Sequence, residues 1–294
     1  MAHARRRLLR AGGALAVAGT LLLAGCSGGG DDGGTDGKTD GKTGGTSTSP
    51  GPSGSGSGSA APGGSPTAKP APTALGFTPD PKRVPRTSAD AKRLALAVVA
   101  GPDAWGPGFV KRTPYLSADD YWPVLGADCA WGTGQRPGSV LHSVTAYSEI
   151  PATGGRGVLR VAATVTVHRT EADADWEMAD TLEEALNCPE QELRDGEKIT
   201  GLISLGNPFG IGGNYTADDS LGERGGYVNS AVKGEQIYGW YQSRIGQVTV
   251  ATVTKGAPGY AEKDSATAKG TLEPQVQALV TMLERLKGEL EVKS

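Results

Sequence analysis

The most regular pattern in the chain is a two-residue alternation over Val158 to His168. Leu159, Val161, Ala163, Val165 and Val167 fall on one face, and Arg160, Thr164, Thr166 and His168 on the other, which predicts a half-buried antiparallel strand. Ser139 to Ile150 reads as its hairpin partner across the glycine-rich connection Pro151 to Gly157. Further strands are expected at Lys198 to Leu205, Gly226 to Val232, Gln236 to Ile245 and Gln247 to Lys255, the last two parted by Gly246 alone. Helical spacing recurs in three places. Ser88 is placed to cap a helix through Ala100 that turns Leu94 and Val98 inward and stops at Gly101-Pro102. Thr170 caps a helix to Asn187, in which Ala172, Trp176, Ala179, Leu182 and Leu186 share the face expected to lie on the sheet. A terminal helix starts near Thr271, takes Pro274 in its first turn, and buries Val276, Leu279, Val280, Leu283 and Leu286 before Gly288. This order predicts an α+β fold, an antiparallel sheet with helices packed mainly on one face. The stretch Asp103 to Gly138 reads as loop-rich.

The first 78 residues read differently. Arg5, Arg6, Arg7 and Arg10 precede an apolar run from Ala11 to Ala24, the layout of a signal peptide over residues 1–25. That run is about 14 residues, short of the roughly 20 that span a bilayer, so a permanent transmembrane anchor is not expected. It ends in Leu23-Ala24-Gly25-Cys26, which is similar to the lipobox of bacterial lipoproteins, where the cysteine thiol receives a diacylglyceryl group. Lipidation of Cys26 and residence on the outer face of the cytoplasmic membrane are expected. Residues 26–78 then form a linker, and from Ser27 to Thr73 they contain no Val, Ile, Leu, Met, Phe, Tyr or Trp. Nothing in that stretch offsets the entropy of ordering, so disorder is expected. A Gly/Ser coil of about 50 residues spans about 40 Å, which would let the domain at 79–294 stand clear of the headgroups.

Charge and cysteine usage narrow the function. The first 75 residues hold 7 of the 29 Lys and Arg and 4 of the 32 Asp and Glu, so the remainder carries 22 basic and 28 acidic residues. An acidic domain repels nucleic acid, which is set aside as a partner. With Cys26 assigned to lipid, Cys129 and Cys188 remain in an oxidising compartment and are expected to pair. Closing a loop of about 60 residues stabilises a fold by roughly 4 kcal/mol in the chain-entropy model.

Catalytic sets are sparse. His142 and His168, the histidines beyond the signal segment, belong to no HExxH or other close ligand pair, and both read as solvated strand residues. There is no GxSxG, and no cofactor motif or metal site is expected; Gly206 to Gly213 lacks the Lys-Ser/Thr ending of a phosphate loop. Acidic pairs at Asp119-Asp120, Glu183-Glu184 and Asp218-Asp219 leave a wall hydrolase as a remote alternative. What remains is a set of rings near expected loops or on the late hairpin. Trp105, Trp122, Trp131, Phe209, Tyr215 and Trp240 are the candidates for a ligand groove, with core packing the competing role.

Several features together resemble the PknH-type extracellular sensor domain of actinobacterial Ser/Thr kinases and the stand-alone lipoproteins that share it. They are a cysteine before a long hairpin, the Trp-bearing helix from Trp176 to Cys188, the strand pair through Arg244-Ile245-Gly246-Gln247-Val248-Thr249-Val250, and the closing helix from Pro274 to Leu286. The resemblance implies a sheet with helices framing a cleft and a ligand-sensing role. The chain departs from it in having no kinase or transmembrane segment and one possible disulfide instead of two. Three expectations follow: first a non-catalytic module that captures a small ligand or wall component, then an accessory lipoprotein whose acidic face docks another envelope protein, and last the hydrolase.

Overall fold

The computed structural model describes residues 77–206, 217–260 and 272–292. Cys26, Phe209 and Tyr215 lie outside these residues, as do the signal segment and most of the linker. Among the described residues the chain forms α1 (Ser88–Val98), α2 (Pro102–Trp105), β1 (Val110–Leu116), β2 (Pro123–Leu125), β3 (Trp131–Thr133), β4 (Val140–Ile150) and β5 (Leu159–His168). There follow α3 (Glu171–Asn187), β6 (Gln191–Arg194), β7 (Glu197–Ser204), β8 (Asp219–Asn229), β9 (Gln236–Ile245), β10 (Val248–Lys255) and α4 (Leu272–Leu290). A curled eight-stranded sheet runs β1-β4-β5-β10-β9-β8-β7-β6, with every neighbour antiparallel, and β2 and β3 make a separate pair. The fold is α+β, as the alternation implied.

The apolar face of the alternation is the centre of the main core. Val161, Ala163, Val165 and Val167 of β5 join Val144 of β4 and Val248 and Val250 of β10 beneath α1, α2 and α4. Helix α1 is capped one residue earlier than expected: the Thr87 hydroxyl accepts from the Asp90 N–H at 3.1 Å, and Leu94 and Val98 point inward. In α4 the buried ridge is Ala278, Leu279, Met282, Leu283 and Leu286, while Val280 is exposed because it sits about 100° around the helix from Leu279. A polar residue completes that face. Gln275 is fully buried, and its Nε2 donates to the carbonyls of Gly239 at 2.9 Å and Thr252 at 2.8 Å, bridging α4 to β9 and β10.

Helix α3 lies on the opposite face and is turned the other way from expectation. Trp176 (64% exposed), Leu182 (40%) and Leu186 (71%) face out, and Ala174, Met178 and Ala185 face the sheet. The reason lies in the sheet, whose second face is polar. Ser143 and Thr145 of β4 pair with Thr166 and Thr164 of β5 through hydroxyl hydrogen bonds of 3.0 and 2.9 Å. Gln242 of β9 and Thr249 of β10 continue that face, and the side of α3 carrying Glu177 and Thr181 supplies their partners. Beyond it, Ala185 packs with Ile199, Leu202, Tyr227 and Tyr238 in a smaller second core.

Cys129 and Cys188 are bonded, with Cα atoms 5.5 Å apart. Cys188 caps α3, and the Cys129 carbonyl accepts from the Glu192 N–H at 2.9 Å, so the bond ties the β2–β3 pair to α3 and β6. The stretch read as loop between Asp103 and Gly138 holds α2, β1, β2 and β3, and β8 begins seven residues before the expected Gly226.

Candidate functional site

The candidate rings disperse. Trp105 is 1% exposed and fills the main core beside Phe109, at a centroid distance of 5.9 Å. Trp122 is half-buried just ahead of β2. Trp131 is half-buried beside the disulfide, its Nε1 donating to Gln191 Oε1 at 2.8 Å. Trp240 lies under α3, with its Nε1 3.3 Å from Gln242 Oε1. These four do not enclose one groove.

A groove does open elsewhere, across β7, β8 and the start of β9. It measures about 470 Å³, within the size range of small-molecule sites, and sequence reasoning missed it. Its floor is stripped of a side chain at Gly226, where a Cβ would run into the Thr200 hydroxyl and the Glu235 carboxylate. A register shift between Thr200 and Ile203 brings Ile203 into line with Arg224. Ile203 and Leu205 at the end of β7 and Ile237 on β9 place apolar side chains on both sides of β8, with Ile203 58% exposed. The polar part of the lining carries opposite charges. Glu235 accepts from the Thr200 hydroxyl at 2.6 Å, and Arg224 donates to the Tyr241 hydroxyl at 3.2 Å. The glycine pair in mid-strand was the available signal, since glycine inside a strand marks a close approach.

A second constellation fills the seam between α3 and the sheet. Glu177 accepts from Gln242 at 2.8 Å and from Thr249 at 2.9 Å, and His168 Nε2 lies 2.5 Å from its other oxygen. Both His168 and His142 are buried, at 3% and 5% exposed, which corrects their reading as solvated strand residues. Register explains it: α3 covers the polar face of β5 at His168, and burial lowers the His142 pKa against the opposing pull of Asp119. His168 Nδ1 has no hydrogen-bond partner, so the His168–Glu177 pair lacks the third group of a nucleophilic triad.

Further along the seam, acids gather without a base. Glu223 of β8 is 4% exposed, and its Oε1 has no hydrogen-bond partner. Burial, and then the charge of Glu184, push its carboxyl up to about 8. Burial, followed by Asp180 and Glu177, pushes Glu184 up to about 7. The Tyr238 hydroxyl between them is driven upward by burial and by both carboxyls. Near pH 7 Glu223 thus favours its protonated form while Glu184 divides between its two forms. Among the described residues no group of His, Cys, Asp and Glu is arranged to hold a metal ion, and no helix is long and apolar enough to cross a membrane.

No protein-family model matches the chain, and no curated protein matches it.

Proposed function

We propose that the chain is an exported lipoprotein, anchored to the cytoplasmic membrane through Cys26, whose domain is a non-catalytic, sensor-like module that captures a small ligand on the outer side. The observation that supports the reading most is the β7–β9 groove. It is open and of ligand size, and its lining combines apolar side chains with a carboxylate and a guanidinium. That combination suits a ligand bearing both apolar groups and charged or hydrogen-bonding groups of both signs, the chemistry of a short peptide such as those of the cell wall. The buried positions of His142 and His168 and the pairing of Cys129 with Cys188 leave the groove without an imidazole or a free thiol, which favours capture over turnover.

The test is equilibrium binding of soluble wall fragments carrying their stem peptides, measured calorimetrically against the purified domain. Saturable binding is expected, weakened about tenfold or more by Ile203→Glu, a change at an exposed position that leaves the core intact. Retention of nothing from wall digests, or binding indifferent to Ile203→Glu and Arg224→Ala, would overturn the assignment.

A further inference from the structure

Helix α3 carries an apolar ridge that no other element covers among the described residues. Ala172, Trp176, Ala179, Leu182 and Leu186 recur at helical spacing on its outward side, and they rise along about 21 Å of helix. Surface apolar residues scattered singly need no explanation, but a ridge four turns long on one helix face does. The ridge is also fixed in place. The Thr170 hydroxyl caps the helix start by accepting from Asp173 N–H at 3.1 Å, the Cys129–Cys188 bond holds its end, and Glu177 binds its middle to β9 and β10. Little ordering entropy is left to lose on contact.

The charges beside the ridge select what fits it. Helix α3 contains Glu171, Asp173, Asp175, Glu177, Asp180, Glu183 and Glu184, with no Lys or Arg. Asp175 and Glu183 interleave with the apolar positions, while Glu171 and Asp180 border them. Arg244 reaches this group from the sheet, 3.4 Å from Asp175, whose carboxylate stays 65% exposed. Glu183 and Glu184 also crowd the C-terminal turn, where the helix dipole already favours cations. A second copy of the domain would set Glu171, Asp175, Asp180 and Glu183 against the same four carboxylates, and an anionic lipid surface meets the same repulsion.

We infer that the outward ridge of α3 is a docking surface for a basic amphipathic helix of another polypeptide, whose apolar side chains interleave with Trp176, Leu182 and Leu186 while its Lys and Arg meet Asp175, Asp180 and Glu183. The raised pKa of Asp180, caused by partial desolvation of its carboxyl and then by Glu183 and Glu177, fits a carboxylate cluster that gains by meeting positive charge. This surface lies on the face of the sheet opposite the β7–β9 groove, so it is independent of ligand capture there.

The probe is a labelled Leu/Lys peptide about 15 residues long with Leu at helical spacing, titrated into the purified domain by fluorescence anisotropy. Binding is expected to weaken about tenfold or more with Trp176→Ser or Leu186→Ser and to stay unchanged with Val280→Ser, an exposed apolar site on α4. Asp180→Asn combined with Glu183→Gln should flatten the dependence on salt. All four positions on α3 are largely exposed, and a thermal melt with the disulfide intact confirms each fold. The inference fails if the peptide does not bind, if a scrambled peptide of the same composition binds as well, or if Trp176→Ser and Leu186→Ser change nothing. It fails equally if sedimentation shows a dimer that Leu186→Ser dissolves, or if phosphatidylcholine vesicles capture the domain through the ridge.

Discussion

Replacing Glu223 with Gln tests whether protons hold α3 against the sheet. An ordinary glutamate releases its proton near 4.5, whereas Glu223 keeps it to about 8 and Glu184 to about 7. Between these values the folded chain binds protons that the unfolded chain has given up, so stability is fully present below about 4.5 and is lost as pH rises through 7 and 8. Each retained proton contributes about 1.4 kcal/mol per pH unit. The clean window is pH 6.5 to 9, because the lowered pKa of His142 confines its own titration, which acts in the opposite direction, to more acidic conditions. Across that window Glu184 and Glu223 together account for about 3 kcal/mol at most, and water reaching the half-buried Glu184 reduces its part. For a domain of this size that is a fall in Tm of roughly 5 to 10 °C. Glu223→Gln keeps the volume, cannot ionise, and relieves Glu184 of its neighbour's charge. Its melting temperature should therefore already exceed that of the wild type at pH 6.5, where the unfolded glutamate is ionised, and the gap should widen by several degrees towards pH 9. Scanning calorimetry at fixed ionic strength reads both. A wild-type Tm that is flat or rises over this window, or a Glu223→Gln variant with the same slope as wild type, would refute the reasoning.

Three further outcomes are expected. Cys129→Ser with Cys188→Ser should cost about 4 kcal/mol in chemical denaturation, and reduction of the wild-type protein should reproduce it. The Glu197 side chain is 6% exposed; burial works against its charge, but Arg194 and Lys255 hold its carboxyl down at about 2. Glu197→Gln should thus cost about 1 to 3 kcal/mol near neutral pH, a deficit that shrinks as pH falls from 4.5 towards 2, read by urea unfolding at each pH. Cys26→Ser, if the thiol is the lipid acceptor, should abolish incorporation of labelled palmitate and move the protein from the detergent phase to the aqueous phase on partitioning.

The sheet was legible because its centre obeys one rule. β5 keeps Leu159, Val161, Ala163, Val165 and Val167 on one face without exception, and β9 and β10 flank a turn whose Gly246 has a φ of 55°, so strand boundaries there match the structure within a residue. Peripheral elements obey no such rule. β1, at the sheet edge, is largely exposed on both sides, β2 and β3 are three residues each, and β6 is four, too short for any period to register. In β8 the run from Asp219 to Gly226 mixes Ser220, Glu223 and Arg224 with two mid-strand glycines. It pairs because β7 and β9 lie on either side of it, a tertiary cause that propensity does not record.

The inversion of α3 shows what an amphipathic pattern leaves undecided. Two stripes can be read on this helix, an apolar one through Trp176, Leu182 and Leu186 and a polar one through Glu177 and Thr181, and periodicity alone assigns the first to the interior. The sheet face it meets reverses the choice. Laying Trp176 and Leu186 on Thr166, Gln242 and Thr249 would have buried hydroxyls and an amide without partners, at about 1 to 3 kcal/mol each. Turned as it is, Glu177 satisfies Gln242 and Thr249 together, Thr181 lies 2.9 Å from Gln242 Oε1, and the apolar stripe is left facing out. The same rotation carries Glu184 towards Glu223 and Tyr238, so the proton-held seam and the acid-fringed outer ridge have one origin. A sheet whose second face is polar accepts a helix by its polar side, and the helix is then free to offer its apolar side elsewhere.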